Sequence, residues 1–347
     1  VIRVGIVGLG FMGWIHWLAY QRVGDARVMA IATRNQQRLL GDWRGIQGNF
    51  GPPGEQVDLS GIAAYANVDD LLADPQIDLV DITLPTSLHA DVALRALEAG
   101  KHVLCEKPMA LRLDDCQRMA AAATKAGRLL MIGHVLPFFP EYDWALTTIR
   151  GGEYGRVRGG AFRRVIANPT WLDKFWSAEH VGGPMLDLHV HDAHFIRLVF
   201  GMPVEVATHG RLRDGLPEFW HSQFRFAAPG LVVEATSGTI EQQGRPFTHG
   251  YEIHLERATM AFDFAVIGGE GRYLCEPMLL DDRGGVQRAN LPGGDPIDAF
   301  ASELREVVHS IVGGRTSEIL GAILAQDAMR ICQKQAESLQ SRVPVKF

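Results

Sequence analysis

Five titratable side chains fall within eight positions of the segment GGPMLDLHVHDAH (182–194): Asp187, His189, His191, Asp192 and His194. Three kinds of chemistry suit such a cluster. Histidine beside carboxylate can move protons near neutral pH, because imidazole titrates there. Asp187, His191 and His194 stand at i, i+4 and i+7, one face of a helix, and could offer three ligands to a metal ion. Asp187 could also do no more than cap a helix behind the loop Gly182-Gly183-Pro184. The choice depends on what the rest of the chain is built to hold.

A second chemical element opens the chain. Gly8-Leu9-Gly10-Phe11-Met12-Gly13 reads G-x-G-x-x-G, directly after the β-branched run IRVGIV and at the start of a helical pattern. In that context the first glycine makes a tight turn and the second admits a pyrophosphate to the backbone. The third lets helix and strand approach closely, and the phosphates rest on the helix N-terminus that carries Phe11 and Met12. At the end of the second strand stand Ala32-Thr33-Arg34-Asn35, with no carboxylate to hold a ribose 2′-hydroxyl. Thr33 could hydrogen-bond a 2′-phosphate and Arg34 could pair with it, so NADP is favoured over NAD. A third element, Cys105-Glu106-Lys107-Pro108-Met109, ends another apolar run. Ligands bind outside the carboxyl ends of strands in doubly wound sheets, so Lys107 should reach toward the nicotinamide end. Pro108 disfavours helix at Lys107. His134, after the run RLLMIG, stands at another such strand end.

The elements that must position these groups are legible as periodicity. Through residue 135, apolar runs (IRVGIVGLG, ARVMAIATR, IDLVDITL, KHVLCEKP, RLLMIGHV) alternate with helical patterns. That spacing implies βαβ units and a parallel sheet with helices on both faces. Residues 41–61, rich in glycine and proline, read as a long surface loop. Beyond about residue 150 the strands lengthen, and Gly/Pro turns replace helices between them; YEIHLERATMAFDF reads as one such strand. The expected fold is α/β. Residues 1–135 form a Rossmann-type dinucleotide domain, and residues 136–347 an α+β domain with an open, mostly antiparallel sheet that serves substrate binding and assembly.

Composition bounds the function. At 347 residues, with 47% hydrophobic and 21% charged residues, the chain suits two globular domains. A net charge of −6 without a Lys/Arg block argues against nucleic acid. No apolar run approaches a membrane span. Four scattered cysteines read as reduced and structural, and no basic leader precedes the first strand, so a cytoplasmic protein is expected.

Together these segments resemble the Gfo/Idh/MocA oxidoreductases, the family of glucose–fructose oxidoreductase and inositol dehydrogenase. The likeness rests on GLGFMG, on LPTSLH at 84–89, on EKP at 106–108 and on GGPMLDLHVHD at 182–192. It implies NAD(P)-linked hydride transfer at a carbinol carbon of a sugar, cyclitol or related polyol. It further implies Leu84, Pro85, His89, Glu106 and Lys107 at the cofactor, Lys107, Asp187 and His191 in catalysis, and a homo-oligomer, dimer or tetramer, joined through the second sheet. The chain departs from the family's D-x-G-x-H pattern at His189, and His194 replaces an acidic residue. These two, with His134, are expected to contact substrate. A catalytic metal is not expected. An alternative is a redox-neutral enzyme with tightly held NAD, in which His189 and His194 serve as extra acid–base groups.

Overall fold

The computed structural model describes residues 1–170, 172 and 174–347. It divides into two compact units, Val1–Phe139 with Gly293–Gln326, and Pro140–Pro292 with Asp327–Phe347. The sequence reading ran the second domain unbroken from 136 to 347; the chain instead returns to the first unit for residues 293–326 before it ends in the second.

In the first unit the chain runs β1 (Ile2–Val7), α1 (Phe11–Tyr20), β2 (Ala26–Ala32), α2 (Gln36–Leu39), β3 (Ala63–Tyr65), α3 (Val68–Ala73), β4 (Leu79–Ile82), α4 (His89–Glu98), β5 (His102–Glu106), α5 (Leu113–Ala126) and β6 (Leu130–Gly133). The sheet order is β3-β2-β1-β4-β5-β6, and every pair is parallel. This is the doubly wound order read from the sequence, with its reversal between β1 and β4. Strands β4 and β6 are buried along their whole length, which explains their uninterrupted apolar runs. Helix α5 ends on Gly127 in the left-handed conformation, φ 61°, where a Cβ would be strained.

The segment 41–61 is irregular, as expected, but it is not simply surface. Trp43 is fully buried, its ring edge-on to Trp14 and Trp17 at 5.9 and 5.0 Å. Its indole N–H donates to the Arg38 carbonyl, and that of Trp14 donates to the Pro52 carbonyl. Two satisfied indoles thus pin a glycine-rich loop whose composition carried no packing signal.

The second unit begins with α6 (Pro140–Gly151) and β7 (Val157–Ala167), then α7 (Gly183–Asp187) and α8 (Val190–Phe200). Strands β8 (Glu205–Arg213), β9 (Leu216–Arg225), β10 (Val232–Ile240), β11 (Phe247–Leu255), β12 (Ala258–Ile267), β13 (Glu270–Asp281) and β14 (Val286–Arg288) follow. The return segment carries α9 (Pro296–Gly313), and the chain closes with α10 (Ala322–Ser341) and β15 (Val345–Lys346). The nine-stranded sheet has the order β14-β13-β12-β11-β7-β10-β9-β8-β15. It is antiparallel except where β7 and β10 run parallel. The single strand read from YEIHLERATMAFDF is a hairpin, β11 and β12, turning at Glu256-Arg257. That pair lacks the Asn-Gly or Gly signature of a tight hairpin, so the turn was invisible in the sequence. Among the described residues no helix is long and apolar enough to cross a membrane.

Candidate active site

The glycine loop meets the geometric demands of a dinucleotide site. A Cβ on Gly13 would sit 2.2 Å from the Gly8 carbonyl oxygen, so only glycine lets α1 approach β1 this closely. Gly8 itself has φ +98°, and Leu84 and Thr83 crowd the place of its absent side chain. The Thr83 hydroxyl donates to the Gly8 carbonyl at 2.5 Å, fixing the turn from the next strand. Above Gly10 a Cβ would meet nothing within 4 Å. Gly10 caps α1 without a side-chain hydrogen bond, so the first-turn amides at Phe11 and Met12 are left to an anion. A pyrophosphate fits this cradle.

At the adenosine end Thr33 is half-buried and Arg34 is exposed. The sequence reading missed Arg38, whose guanidinium donates to the Leu9 carbonyl of the glycine loop at 2.5 Å. Its position one turn after Arg34, on the short α2, was the available signal.

Two residues expected at the cofactor make buried contacts within the protein. His89 is buried; one ring nitrogen lies 2.9 Å from the Pro108 carbonyl and the other 2.7 Å from that of Leu84. Burial lowers its pKa, against the pull of those two carbonyls. It is a brace between the two motif loops. Leu84 is half-buried and Pro85 exposed at their tips. Glu106 is also buried, and one carboxylate oxygen lies 3.0 Å from Nε2 of His16. The other accepts the Lys107 backbone N–H at 3.1 Å. Lys107 follows half-buried at the carboxyl end of β5, joined to Pro108 by a cis peptide. His134, one residue beyond β6, is buried.

In the second unit the cluster at 187–194 is sorted by burial. Asp187 and His191 are half-buried; His189, Asp192 and His194 are fully buried. The helix breaks at Leu188-His189, so Asp187 ends α7 and His191 is the second residue of α8. Asp187 caps neither helix, since the N-caps are Gly182 and His189. Among the described residues no group of three such side chains is placed to hold a metal ion.

His189 is buried and bonded within the protein. Its Nδ1 is 2.8 Å from the Ser237 hydroxyl and its Nε2 is 3.1 Å from the Gln335 side-chain amide oxygen, with Trp220 edge-on to the ring. Burial holds its pKa down to about 4 despite the Asp192 charge nearby, so it is neutral at working pH. His194 is equally buried. Asp192 anchors the first turn of α8 by accepting from Nε and Nη2 of Arg164 on β7, at 2.6 and 3.2 Å. The buried pair sits directly beside His191 in the chain.

Comparison with known proteins accords with both units. Residues 2–134 match a family model described as an oxidoreductase family with an NAD-binding Rossmann fold. Residues 143–261 match the Gfo/Idh/MocA C-terminal domain. An uncharacterized oxidoreductase of Rhizobium meliloti is 37% identical over 208 residues, 59% of this chain and 58% of that one. The 1,5-anhydro-D-fructose reductase of Ensifer adhaerens is 32% identical over 201 residues, 51% of this chain and 60% of that one. The chain therefore spans less than two thirds of these curated relatives. A levoglucosan dehydrogenase solved with NADH and levoglucosan shares the fold, with a TM-score of 0.79 over 99% of each chain at 20% identity. Two family domains matched in order, on a sheet order and glycine loop that suit an NAD(P)-binding Rossmann domain, place this chain in the Gfo/Idh/MocA oxidoreductase family.

Proposed function

We propose that this chain is an NAD(P)-linked oxidoreductase acting at a carbinol carbon of a sugar, cyclitol or related polyol. The carrying observation is selective exposure: of the five titratable residues at 187–194, only Asp187 and His191 keep accessible surface. The names of the anhydrofructose reductase and levoglucosan dehydrogenase relatives support the substrate class.

When bound, a nicotinamide dinucleotide supplies the hydride chemistry. His191 accepts the carbinol proton in oxidation and returns it in reduction. Lys107 hydrogen-bonds the carbinol oxygen and stabilises its alkoxide character. Asp187 orients the substrate hydroxyls. Thr33, Arg34 and Arg38 favour a 2′-phosphate, hence NADP over NAD. The redox-neutral alternative drew on His189 and His194 as extra acid–base groups, and their burial withdraws that support.

The test is a paired NADP and NAD titration against a panel of sugars, cyclitols and sugar acids, read by absorbance of the reduced nicotinamide. Turnover with NADP on at least one polyol is expected. Bound cofactor that is never released as net NAD(P)H would favour the redox-neutral reading. Full activity in both Lys107→Ala and His191→Ala would sink the assignment of roles.

A further inference from the structure

The first unit buries a set of charges that the proposed reaction does not use. His16 on α1 is fully buried with both ring nitrogens on carboxylates: Nδ1 is 2.8 Å from Asp81 on β4, and Nε2 is 3.0 Å from Glu106 on β5. Carboxylates only accept, so an imidazolium donating from both nitrogens satisfies the bridge. Glu303 on α9 lies close enough to feel the charges of Glu106, His16 and Asp81. It is fully buried, and neither carboxyl oxygen has a hydrogen-bond partner among the described residues. Tyr20 on α1 and Cys105 on β5 complete the surrounding titratable groups.

Such a set is a poor way to stabilise a core. Burying ions costs several kcal/mol each, and well-packed apolar replacements are commonly neutral or better. Its position suggests another purpose. Glu106 is the residue before Lys107. One of its oxygens is held by His16, and the other accepts the Lys107 backbone N–H. Gly133 on the neighbouring strand leaves the carboxylate its place, since a Cβ there would be 3.1 Å from Glu106 Oε1.

We propose that His16 is a positioning residue for Lys107: bridging Asp81 and Glu106 from inside the fold, it locks the Glu106 carboxylate onto the Lys107 backbone and so fixes where the lysine leaves the strand. The charge balance agrees. Burial opposes a charged His16, but the Asp81 charge and the hydrogen bonds of both carboxylates outweigh it and raise its pKa well above the ordinary value. Burial drives the Glu303 carboxyl the same way, toward the neutral acid, with Glu106 and Asp81 adding to the shift and His16 opposing it.

The importance of Lys107 rests on the proposed function; its positioning does not, and the experiment separates the two. The full chain with saturating NADPH is treated with acetic anhydride, and acetylation of Lys107 is read by peptide mass relative to exposed Lys125 and Lys346. In His16→Gln, relative labelling of Lys107 rises about threefold or more as its anchor loosens, Glu106→Gln gives the same rise, and the double variant no further rise. Unchanged labelling in a folded His16→Gln protein, or additive effects in the double variant, overturns the proposal. If His16→Gln does not fold, histidine-labelled wild type decides: His16 carries protons on both ring nitrogens at pH 7, in keeping with its raised pKa, and a neutral imidazole at that pH overturns the proposal. Should Lys107→Ala retain turnover, the catalytic role of Lys107 fails while the labelling still judges His16.

Discussion

Glycine 10 and Glycine 13 look alike in the motif and do opposite work. Gly13 is required by the fold, because its missing Cβ makes room for a carbonyl 2.2 Å away. Gly10 is required by nothing in the protein itself, because the space over it is open. Gly13→Ala should therefore cost about 3 kcal/mol of stability and abolish cofactor binding together. Gly10→Ala should melt within a few degrees of wild type yet bind NADP at least about tenfold more weakly, read by fluorescence titration. A Gly10→Ala protein with undiminished affinity would refute the cradle. For the proton, His191→Ala is expected to lower kcat by about 10²- to 10⁴-fold with a smaller change in KM. The sequence named Lys107, Asp187 and His191 as candidates, but it could not tell inward from outward. His89 and Glu106 carry motif positions as surely as Lys107 does, and only the structure shows that both are buried.

The broken helix pair α7–α8 shows why that distinction was out of reach. Helical spacing groups positions 187, 191 and 194; burial sorts them differently, with His194 covered and Asp187 and His191 half-buried. Neither Leu188 nor His189 is a helix breaker by type, so the interruption comes from packing: His189 is drawn inside to Ser237 and Gln335. Its depressed pKa has a measurable sign. Above the unfolded value of 6.5 His189 is neutral in both states; as pH falls toward about 4, only the unfolded chain takes up the proton. The fold loses roughly 3 kcal/mol over that window. In urea unfolding at pH 7 and pH 4, wild type should lose more stability than His189→Gln by about that amount. An equal loss in both proteins would remove the buried neutral histidine. At the next position but two, Asp192→Ala leaves Arg164 buried and uncompensated, for an expected cost of about 3–5 kcal/mol, measured as a lowered urea midpoint.

At the scale of the molecule, the parallel sheet was legible because its strands are buried on both faces and read as apolar runs. The second sheet was legible in kind but not in count, since β13, β14 and the β11–β12 turn lack strong local signals. The return of residues 293–326 to the first unit was not legible at all. Helix α9 is amphipathic in the ordinary way, and nothing in its own pattern says which core it joins. Its apolar face, with Ile297, Phe300, Leu304, Val307 and Val308, lies in the core that holds Trp14, Ile15 and Trp17. Glu303 comes from this helix, and its pKa is raised, so its stabilising contribution is present below the ordinary carboxyl range and is lost as pH rises. Glu303→Leu should raise the melting temperature, by the equivalent of about 1–4 kcal/mol, and more at pH 9 than at pH 5. A variant less stable than wild type at pH 9 would show that the carboxyl is a needed part of the core.

The late arrival of α9 also sets a schedule for the chain as it is made. Strands β1 to β6 emerge first, yet the apolar side of α1 stays bare until residues 293–326 have followed. At about 5–20 residues per second, that is a wait of roughly 10–40 s before α9 covers its side of α1. A fragment cut after residue 139 would carry that bare surface permanently, and is expected to collect in the pellet unless residues 293–326 are supplied in trans.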